Sequence, residues 1–355
     1  MRIRKKNVKR WMRGVAGEKQ MTINQYNPKP KKKTYPQDWV AYNLAKTNEF
    51  EAFHDILIEL IDKLIKVRNP IYKKGRKFGD FKEILFCCVL REYFEKSSRV
   101  HTSFLSYAKG RGYISKKYHF NTMLKYLKNP QLTSALKHLI EQSGTPLKSI
   151  EQSFTVDSSG WATSLYGRWF DVRTGGYNKR RLFKKAHICS GTKTGIISSV
   201  EISEGYYHDS PYFGDLVRTS AKNFDIKEVS ADAGYLSRAN YDAVDEIGAV
   251  PFIMFKKNSS GNAKGSMAWS KMHKVFERYH DYFMERYHLR SNAESVFNAI
   301  KRKFGTFLRG RTETAQVNEL MCKCLAYNVT VLIQEIYESN IYLDYLKNEP
   351  LVVKN

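Results

Sequence analysis

The stretch from Tyr279 to Gly305 combines acidic, basic and aromatic residues at helical spacing. At about 100° per residue, four of its polar side chains would lie within about 60° of one another on one helix: Tyr287, Arg290, Glu294 and Lys301. An apolar stripe runs beside them, which places Glu294 alone at the border of the buried face. A carboxylate there is costly unless it binds a metal ion or pairs with a cation. Arg290 stands four residues earlier, so a helix salt bridge is the alternative to a metal ligand.

Two aspartates follow apolar residues in segments that are typical of strands. Asp157 comes directly after Val156, and Asp232 precedes Ala-Gly-Tyr, where the chain would leave the sheet. Because the carboxyl ends of strands gather the chemistry of mixed sheets, neighbouring strands would bring Asp157, Asp232 and Glu294 together. Three oxygen ligands suit Mg²⁺ or Mn²⁺, and two such ions could activate a nucleophile and stabilise a leaving oxygen in phosphodiester chemistry. A turn or helix-cap role is the alternative for each aspartate.

The composition indicates a polyanionic partner. The 355 residues carry a formal net charge of +25, and nucleic acid is the commonest partner of such basic proteins. An anionic membrane surface is the alternative, but the sequence has no long apolar run or signal-peptide core. The five cysteines include no pair of CxxC elements, which argues against a zinc site. An odd number of free thiols is typical of a reducing cytoplasm.

The first part of the chain predicts a basic arm and a helical domain. Residues 1–47 are rich in lysine and arginine, so we expect a flexible arm that contacts phosphates. Apolar residues three to four positions apart predict helices at 50–67, 81–94, 102–110, 120–129 and 132–143. This helical N-terminal domain, 48–149, is expected to bind DNA, although a purely structural bundle is the alternative.

After residue 149 the pattern changes to strands that end at glycines and then to alternating helices and strands. Strands are predicted at 153–160, 168–176, 183–191, 195–205, 226–235 and 249–257. Helices are predicted at 210–223, 237–247, 279–305 and 313–338. This order predicts an α/β domain with a mixed sheet over residues 150–338, followed by a C-terminal tail, 339–355.

These motifs resemble those of DDE transposases of prokaryotic insertion sequences. The motif around the family's third acid resembles the series Tyr287-x2-Arg290-x3-Glu294-x6-Lys301. Asp157 within TVDSS resembles the first aspartate, and Asp232 within ADAGY resembles the second. The segment from KKAHICSG to EGYYHDSPYF is similar to the family's strands between these two acids.

The resemblance implies a ribonuclease-H-like catalytic domain and a transposase that cuts and pastes DNA. Asp157, Asp232 and Glu294 would be catalytic and would bind two Mg²⁺ ions, for which Mn²⁺ would substitute. The enzyme would cleave DNA at the terminal inverted repeats of its element and transfer the strand to target DNA. Its partners would be double-stranded DNA and a second copy of the chain, as a homodimer on DNA without a membrane partner. Its expected location is the cytoplasm, in association with the nucleoid.

Several other residues are expected to contact DNA or to shape the site. Tyr287 would position or stack, and Arg290 and Lys301 would contact phosphates beside the scissile bond. Four lysines adjoin predicted strands and would line a DNA channel, although a solvated sheet edge explains them equally well: Lys184, Lys185, Lys256 and Lys257. Asp209 stands before Ser210-Pro211, so a helix-capping role is expected for it.

The interval between the second and third acids is short. About 60 residues separate Asp232 from Glu294, which leaves little room for the β-rich insertion that some relatives carry there. Trp269, in this interval, would either stack on a displaced base or occupy the core, and we favour the core.

Two alternatives to an active transposase remain at this point. One is a ribonuclease-H-like nuclease that cuts DNA without strand transfer. The other is a DNA-binding relic of a transposase that has lost catalysis, although the presence of all three acids argues against it.

Overall fold

A computed structural model of the chain describes residues 38–68, 79–163, 183–345 and 348–354. Within these ranges, six α-helices precede the first long strand: α1 (Trp39–Thr47), α2 (Glu49–Leu64), α3 (Phe81–Tyr93), α4 (Ser98–Gly110), α5 (Phe120–Tyr126) and α6 (Pro130–Ser143). Side-chain caps set several of their starts. Asp80 accepts hydrogen bonds from two backbone N–H groups of α3, and Asn129 caps α6 ahead of Pro130 at the first helical position.

A short parallel sheet pairs the segment after α2 with the C-terminal residues of the described chain. Helix α2 ends at Leu64, and Ile65–Arg68 forms β1, which pairs in parallel with Leu351–Lys354, named β7. The helix predicted over 50–67 therefore ends earlier, and the predicted C-terminal tail contains a strand. The partner strand lies almost 300 residues away along the chain, so local helical spacing carried no sign of it.

The main sheet has five strands in the order β4-β3-β2-β5-β6. The strands are β2 (Ser153–Ala162), β3 (Phe183–Gly191), β4 (Ile197–Glu204), β5 (Glu228–Ala231) and β6 (Val250–Ile253). Strands β2, β3 and β4 pair antiparallel, whereas β2, β5 and β6 pair in parallel. The prediction of a mixed α/β sheet after a helical segment is therefore confirmed. The strand predicted at 168–176 lies outside the described residues.

Among the residues that the structure describes, six further α-helices follow the start of this sheet. They are α7 (Phe213–Ala221), α8 (Arg238–Glu246), α9 (Met267–Arg278), α10 (His280–Tyr287), α11 (Ser291–Phe304) and α12 (Glu313–Glu338). The prediction of one helix from 279 to 305 was wrong, because a 3₁₀ turn at His288–Arg290 separates α10 from α11. The break lets Phe283 of α10 pack against Phe252 of β6 while Phe297 of α11 packs against Trp161 of β2. A straight helix could not follow two strands of a twisted sheet.

A buried network of four charges joins the N-terminal helices to α12. Arg91 forms ion pairs with Glu92 and Glu319, and Lys323 forms an ion pair with Glu92. Burial alone would raise the pKa of Glu92, but Arg91 and Lys323 lower it. Glu319 also accepts hydrogen bonds of 2.8 Å from the backbone N–H groups of Arg309 and Gly310, in the segment after α11. The network therefore holds that segment, α3 and α12 together.

No helix in the described part of the chain combines the length and the apolar character that a membrane crossing requires.

We expect Glu319→Ala to destabilise the protein strongly, because it would leave Arg91 buried with one carboxylate fewer and two backbone N–H groups without their acceptor. The expected loss is about 3–5 kcal/mol of unfolding free energy, measured by urea denaturation. Glu246→Ala is the matched control, since Glu246 is 56% exposed in its pair with Arg218. Loss of that pair should cost less than about 1 kcal/mol. Equal losses in the two variants would contradict a structural role for the buried network.

Candidate functional site

The pairing of β2 with β5 places Asp157 next to Asp232. The parallel ladder between these strands ends at the pair Val156 and Ala231, and the next residue in each chain is an aspartate. Neighbouring strands lie about 4.8 Å apart. The two carboxylates therefore stand side by side where β5 ends. Asp157 itself remains within β2, paired with Ile188 of β3.

Each aspartate also makes a local hydrogen bond. Asp157 Oδ1 accepts from the backbone N–H of Ser158 at 2.8 Å. Asp232 Oδ1 accepts from the backbone N–H of Gly234 at 2.8 Å and thereby caps the 3₁₀ turn Ala233–Tyr235. The turn role considered for Asp232 is therefore present in the structure. These hydrogen bonds fix the direction of both carboxylates relative to the sheet.

The face of β2 that carries Asp157 is covered by the 3₁₀ turn before α11 and by α11 itself. Side chains two residues apart on a strand share a face, and both such neighbours of Asp157 contact the covering segment. Thr155 Oγ1 donates to the backbone carbonyl of Arg290 at 3.5 Å, and Lys301 Nζ donates to Ser159 Oγ at 2.6 Å. Asp157 thus faces the segment that carries Glu294. Thr155 and Ser159 were not predicted as site residues, although each stands two residues from Asp157 and so shares its face of the strand.

The electrostatics show that Asp232 and Glu294 both act on Asp157. The pKa of Asp157 is raised to about 6, chiefly by burial and in addition by the negative charges of Asp232 and Glu294. The N–H of Ser158 and the guanidinium of Arg290 act in the opposite direction. Asp232 and Glu294 therefore both lie within electrostatic range of Asp157. A carboxyl group with its pKa shifted upwards in this way is typical of a functional site.

Glu294 forms a salt bridge in this structure. Its Oε1 lies 3.0 Å from Nη1 of Arg290, and its side chain is 60% exposed. The guanidinium of Arg290 also lies over the ring of the buried Tyr287, 5.4 Å from its centroid. The helix salt bridge that the spacing left open is thus formed here, and Glu294 lies further from the buried face than expected.

The donor atoms fit a hard divalent cation in part. Asp157 and Asp232 provide adjacent carboxylate oxygens, which Mg²⁺ and Mn²⁺ prefer. In the ranges that the structure describes, however, no group of three His, Cys, Asp or Glu residues is arranged to hold a metal ion. Glu294 is directed to Arg290 instead. The arrangement is therefore a pair of carboxylates with a third acid nearby.

Lys301 has a defined environment on α11. Besides its hydrogen bond to Ser159, its ammonium group lies 4.8 Å from the centroid of the Trp161 ring. Partial burial lowers the pKa of Lys301. The ammonium group is thus held at Ser159, two residues beyond Asp157 on the same face of β2.

The other predicted residues divide into exposed and buried groups. Lys256 and Lys257 are exposed and follow β6 at the carboxyl edge of the sheet. Lys184 is buried and forms ion pairs with Glu204 and Glu313, so the prediction that it lines a DNA channel was wrong. Strand pairing places Lys184 beside a carboxylate on β4. Trp269 is 5% exposed, as expected for a core residue.

Asp209 does not cap a helix with its side chain. It stands at the N-cap position of the turn Ser210–Tyr212 but makes no capping hydrogen bond. Its carboxylate accepts a 2.7 Å hydrogen bond from Lys185 and lies 3.7 Å from Nδ1 of His187. The capping prediction was therefore wrong, because a cation on β3 binds this carboxylate. Burial lowers the pKa of His187 to about 4.

One family model matches the chain. A model described as "Transposase DDE domain" matches residues 149–329, just over half of the 355 residues. The matched range begins ahead of β2, ends within α12 and contains Asp157, Asp232 and Glu294.

We expect Asp157→Asn to flatten the pH dependence of stability in EDTA. The pKa of Asp157 is higher in the folded chain, about 6, than the ordinary 3.8, so its contribution to stability is complete below pH 3.8 and disappears as the pH rises through 6. From about pH 5 to about pH 8, wild type should lose on the order of 1–2 kcal/mol that the variant keeps. Urea denaturation at both pH values measures this difference.

Asp225→Asn is the control, because Asp225 is exposed and pairs with Lys227 at the amino end of β5. It should follow the wild-type profile. Parallel profiles for wild type and Asp157→Asn would show that Asp157 is not a strained carboxylate.

Proposed function

The chain belongs to the transposase DDE-domain family, and from that premise we propose that it is the transposase of an insertion sequence. Asp157, Asp232 and Glu294 are the proposed catalytic acids. The proposed reactions are cleavage of DNA at the terminal inverted repeats and transfer of the freed 3′ end to target DNA. A ribonuclease-H-like fold is part of this proposal, supported by three antiparallel strands followed by two parallel ones.

The observation that supports the proposal is a pair of adjacent aspartates with a third acid, from a distant part of the chain, within electrostatic range. Asp157 and Asp232 follow the last paired residues of neighbouring strands, and Glu294 acts on Asp157 from the covering helix. Burial raises the pKa of Asp157, the charges of Asp232 and Glu294 add to the rise, and a bound cation would relieve both effects. Nothing in a purely structural sheet requires this cost.

The proposed cofactor is Mg²⁺, as two ions, with Mn²⁺ as a substitute. Asp157 and Asp232 would hold it, and Glu294 would complete the set after leaving Arg290. When bound, the cation lowers the pKa of the attacking water and stabilises charge on the leaving oxygen. The residues themselves provide alignment, because the hydrogen bonds from Ser158 and Gly234 hold the two aspartates in place.

The basic residues of the same segment are proposed to bind the DNA backbone. If Glu294 left Arg290 to bind the metal ion, Arg290 would be free to bind a DNA phosphate. The same rearrangement would then favour binding of both the metal ion and the DNA. Lys301, which contacts Ser159 and Trp161, is proposed to bind a second phosphate. Burial lowers the pKa of Lys301, and a nearby anion would stabilise its charged form. The ring of Tyr287 packs against the guanidinium of Arg290 and is proposed to hold it in position. Lys256 and Lys257 extend this contact at the end of β6.

The remaining parts of the proposal concern partners and location. The substrate is double-stranded DNA, and joining two element ends requires at least two protomers, so we propose a homodimer that forms on DNA. The helical segment 48–149 and the basic residues 1–47 are proposed to bind the inverted repeats. The proposed location is the cytoplasm at the nucleoid, where this substrate is found.

We expect Glu294→Gln to abolish cleavage and joining together while leaving DNA binding intact, because the amide is a poor ligand for Mg²⁺ but keeps the shape of the side chain. Both activities should fall by at least about 100-fold. The assay uses full-length protein, Mg²⁺, a labelled duplex with the element's own end and a target plasmid. Glu285→Gln, an exposed acid on α10, is the matched control and should retain both activities.

The same assay separates the alternatives. Cleavage without joining in wild type would favour a nuclease over a transposase. Binding without any metal-dependent chemistry would identify a DNA-binding relic. Full activity of Glu294→Gln would remove Glu294 from the site.

A further inference from the structure

Helix α9 has one buried face and one strongly basic exposed face. Its buried side chains are Ala268, Trp269, Met272 and His273. At about 100° per residue, the opposite arc of about 60° contains the four residues Met267, Lys271, Lys274 and Arg278. All four are exposed. We call Lys271, Lys274 and Arg278 the α9 stripe.

The α9 stripe carries charge that no ion pair within the described part of the chain neutralises. Among the described residues, no carboxylate forms an ion pair with Lys271, Lys274 or Arg278. The nearest acid along the helix, Glu277, pairs instead with His273, at 3.5 Å, on the side that adjoins the buried face. Three unneutralised cations on one helix face are unfavourable by mutual repulsion unless an anionic partner covers them.

The helix lies at the edge of the sheet where the acids are. Phe255, two residues beyond β6, packs its ring against Trp269 at 5.0 Å and against His273 at 5.0 Å. Strand β6 is the parallel neighbour of β5, which ends at Ala231, directly before Asp232. The helix that carries the α9 stripe is therefore anchored by its buried face at the carboxyl edge of the sheet. Lys256 and Lys257, proposed above to bind DNA, directly follow Phe255.

The loop before α9 is held rigidly. Trp269 donates its indole N–H to the carbonyl of Ser260 at 2.8 Å. Arg238 of α8 donates to the carbonyls of Asn262 and Ala263, both at 3.0 Å, and its guanidinium lies 4.4 Å from the Trp269 ring centroid. These contacts fix α9 on α8. A fixed helix binds a partner without the entropy cost of ordering it.

The spacing of the α9 stripe suits a DNA strand. With a rise of about 1.5 Å per residue, the three cations span about 10 Å, which corresponds to about three phosphates of one strand. A membrane surface is a poorer match, because an interfacial helix also exposes an apolar face. Here Met267 is the single apolar residue of the exposed arc, and the apolar face of α9 is buried.

We propose that Lys271, Lys274 and Arg278 form a phosphate-binding stripe that holds the DNA backbone beside the three acids. The inference rests on the proposed function, since it takes DNA as the partner. It assigns a DNA-binding role to the interval between the second and third acids. Contacts of this kind are independent of base sequence and sensitive to salt.

The test compares two triple variants of the full chain that lose the same charge. The first is Lys271→Gln, Lys274→Gln and Arg278→Gln. The control is Lys148→Gln, Lys193→Gln and Lys222→Gln, which removes exposed lysines at the amino edge of the sheet, away from the acids. Binding to a fluorescein-labelled random-sequence duplex is titrated in EDTA between about 0.05 and 0.3 M salt. Thermal melts confirm that both variants fold.

For the α9 variant, the slope of log K against log salt should fall by about 2–3, and the affinity at about 0.1 M salt should fall at least tenfold. The control should change the slope by less than about 1. An unchanged α9 variant, or equal losses in both variants, would overturn the proposal. So would an α9 variant that keeps DNA binding but loses binding to phosphatidylserine vesicles. Because no cleavage occurs in EDTA, an inactive wild type would refute the proposed function without affecting this comparison.

Discussion

The parallel pairing of β2 with β5 is the constraint on which the site depends. It ends at Val156 and Ala231 and so forces Asp157 and Asp232 into neighbouring positions. Burial, together with the neighbouring charge of Asp232, raises the pKa of Asp157 to about 6, at a cost in stability of up to about 3 kcal/mol. Two neighbours act on that charge: Glu294 adds to the rise of the pKa of Asp157, whereas the guanidinium of Arg290 opposes it.

The chain uses its ion pairs in two different ways. Arg91, Glu92, Glu319 and Lys323 are almost completely buried, and breaking such a network is costly, so it serves as scaffold. The pair between Arg290 and Glu294 is largely exposed on the Glu294 side and therefore worth little. A weak pair can be exchanged for stronger partners. The buried network fixes the segment after α11 through Glu319, whereas the exposed pair puts only a weak constraint on Glu294.

The sequence predicted the elements whose evidence is local and missed those that depend on distant partners. Strand β3 and helix α12 have the predicted bounds. A glycine ends β3, and a stripe of apolar residues at helical spacing marks α12. The three acids, Asp157, Asp232 and Glu294, were also identified in the sequence as candidate site residues. The break at His288–Arg290, the pairing of β1 with β7 and the binding of Asp209 by Lys185 were not, because each is decided by a segment far away in the sequence. The position of the Glu294 side chain depends on whether it binds Arg290 or a metal ion, and the spacing of residues in the sequence does not distinguish the two.

The most direct measurement is a crystal structure of the wild-type chain with Mn²⁺, using anomalous scattering to locate the ion. The account predicts Mn²⁺ bound by carboxylate oxygens of Asp157, Asp232 and Glu294, with the salt bridge between Glu294 and Arg290 broken. Mn²⁺ bound elsewhere, or held by the two aspartates while Glu294 remains paired with Arg290, would contradict the claim that these three acids form one metal site.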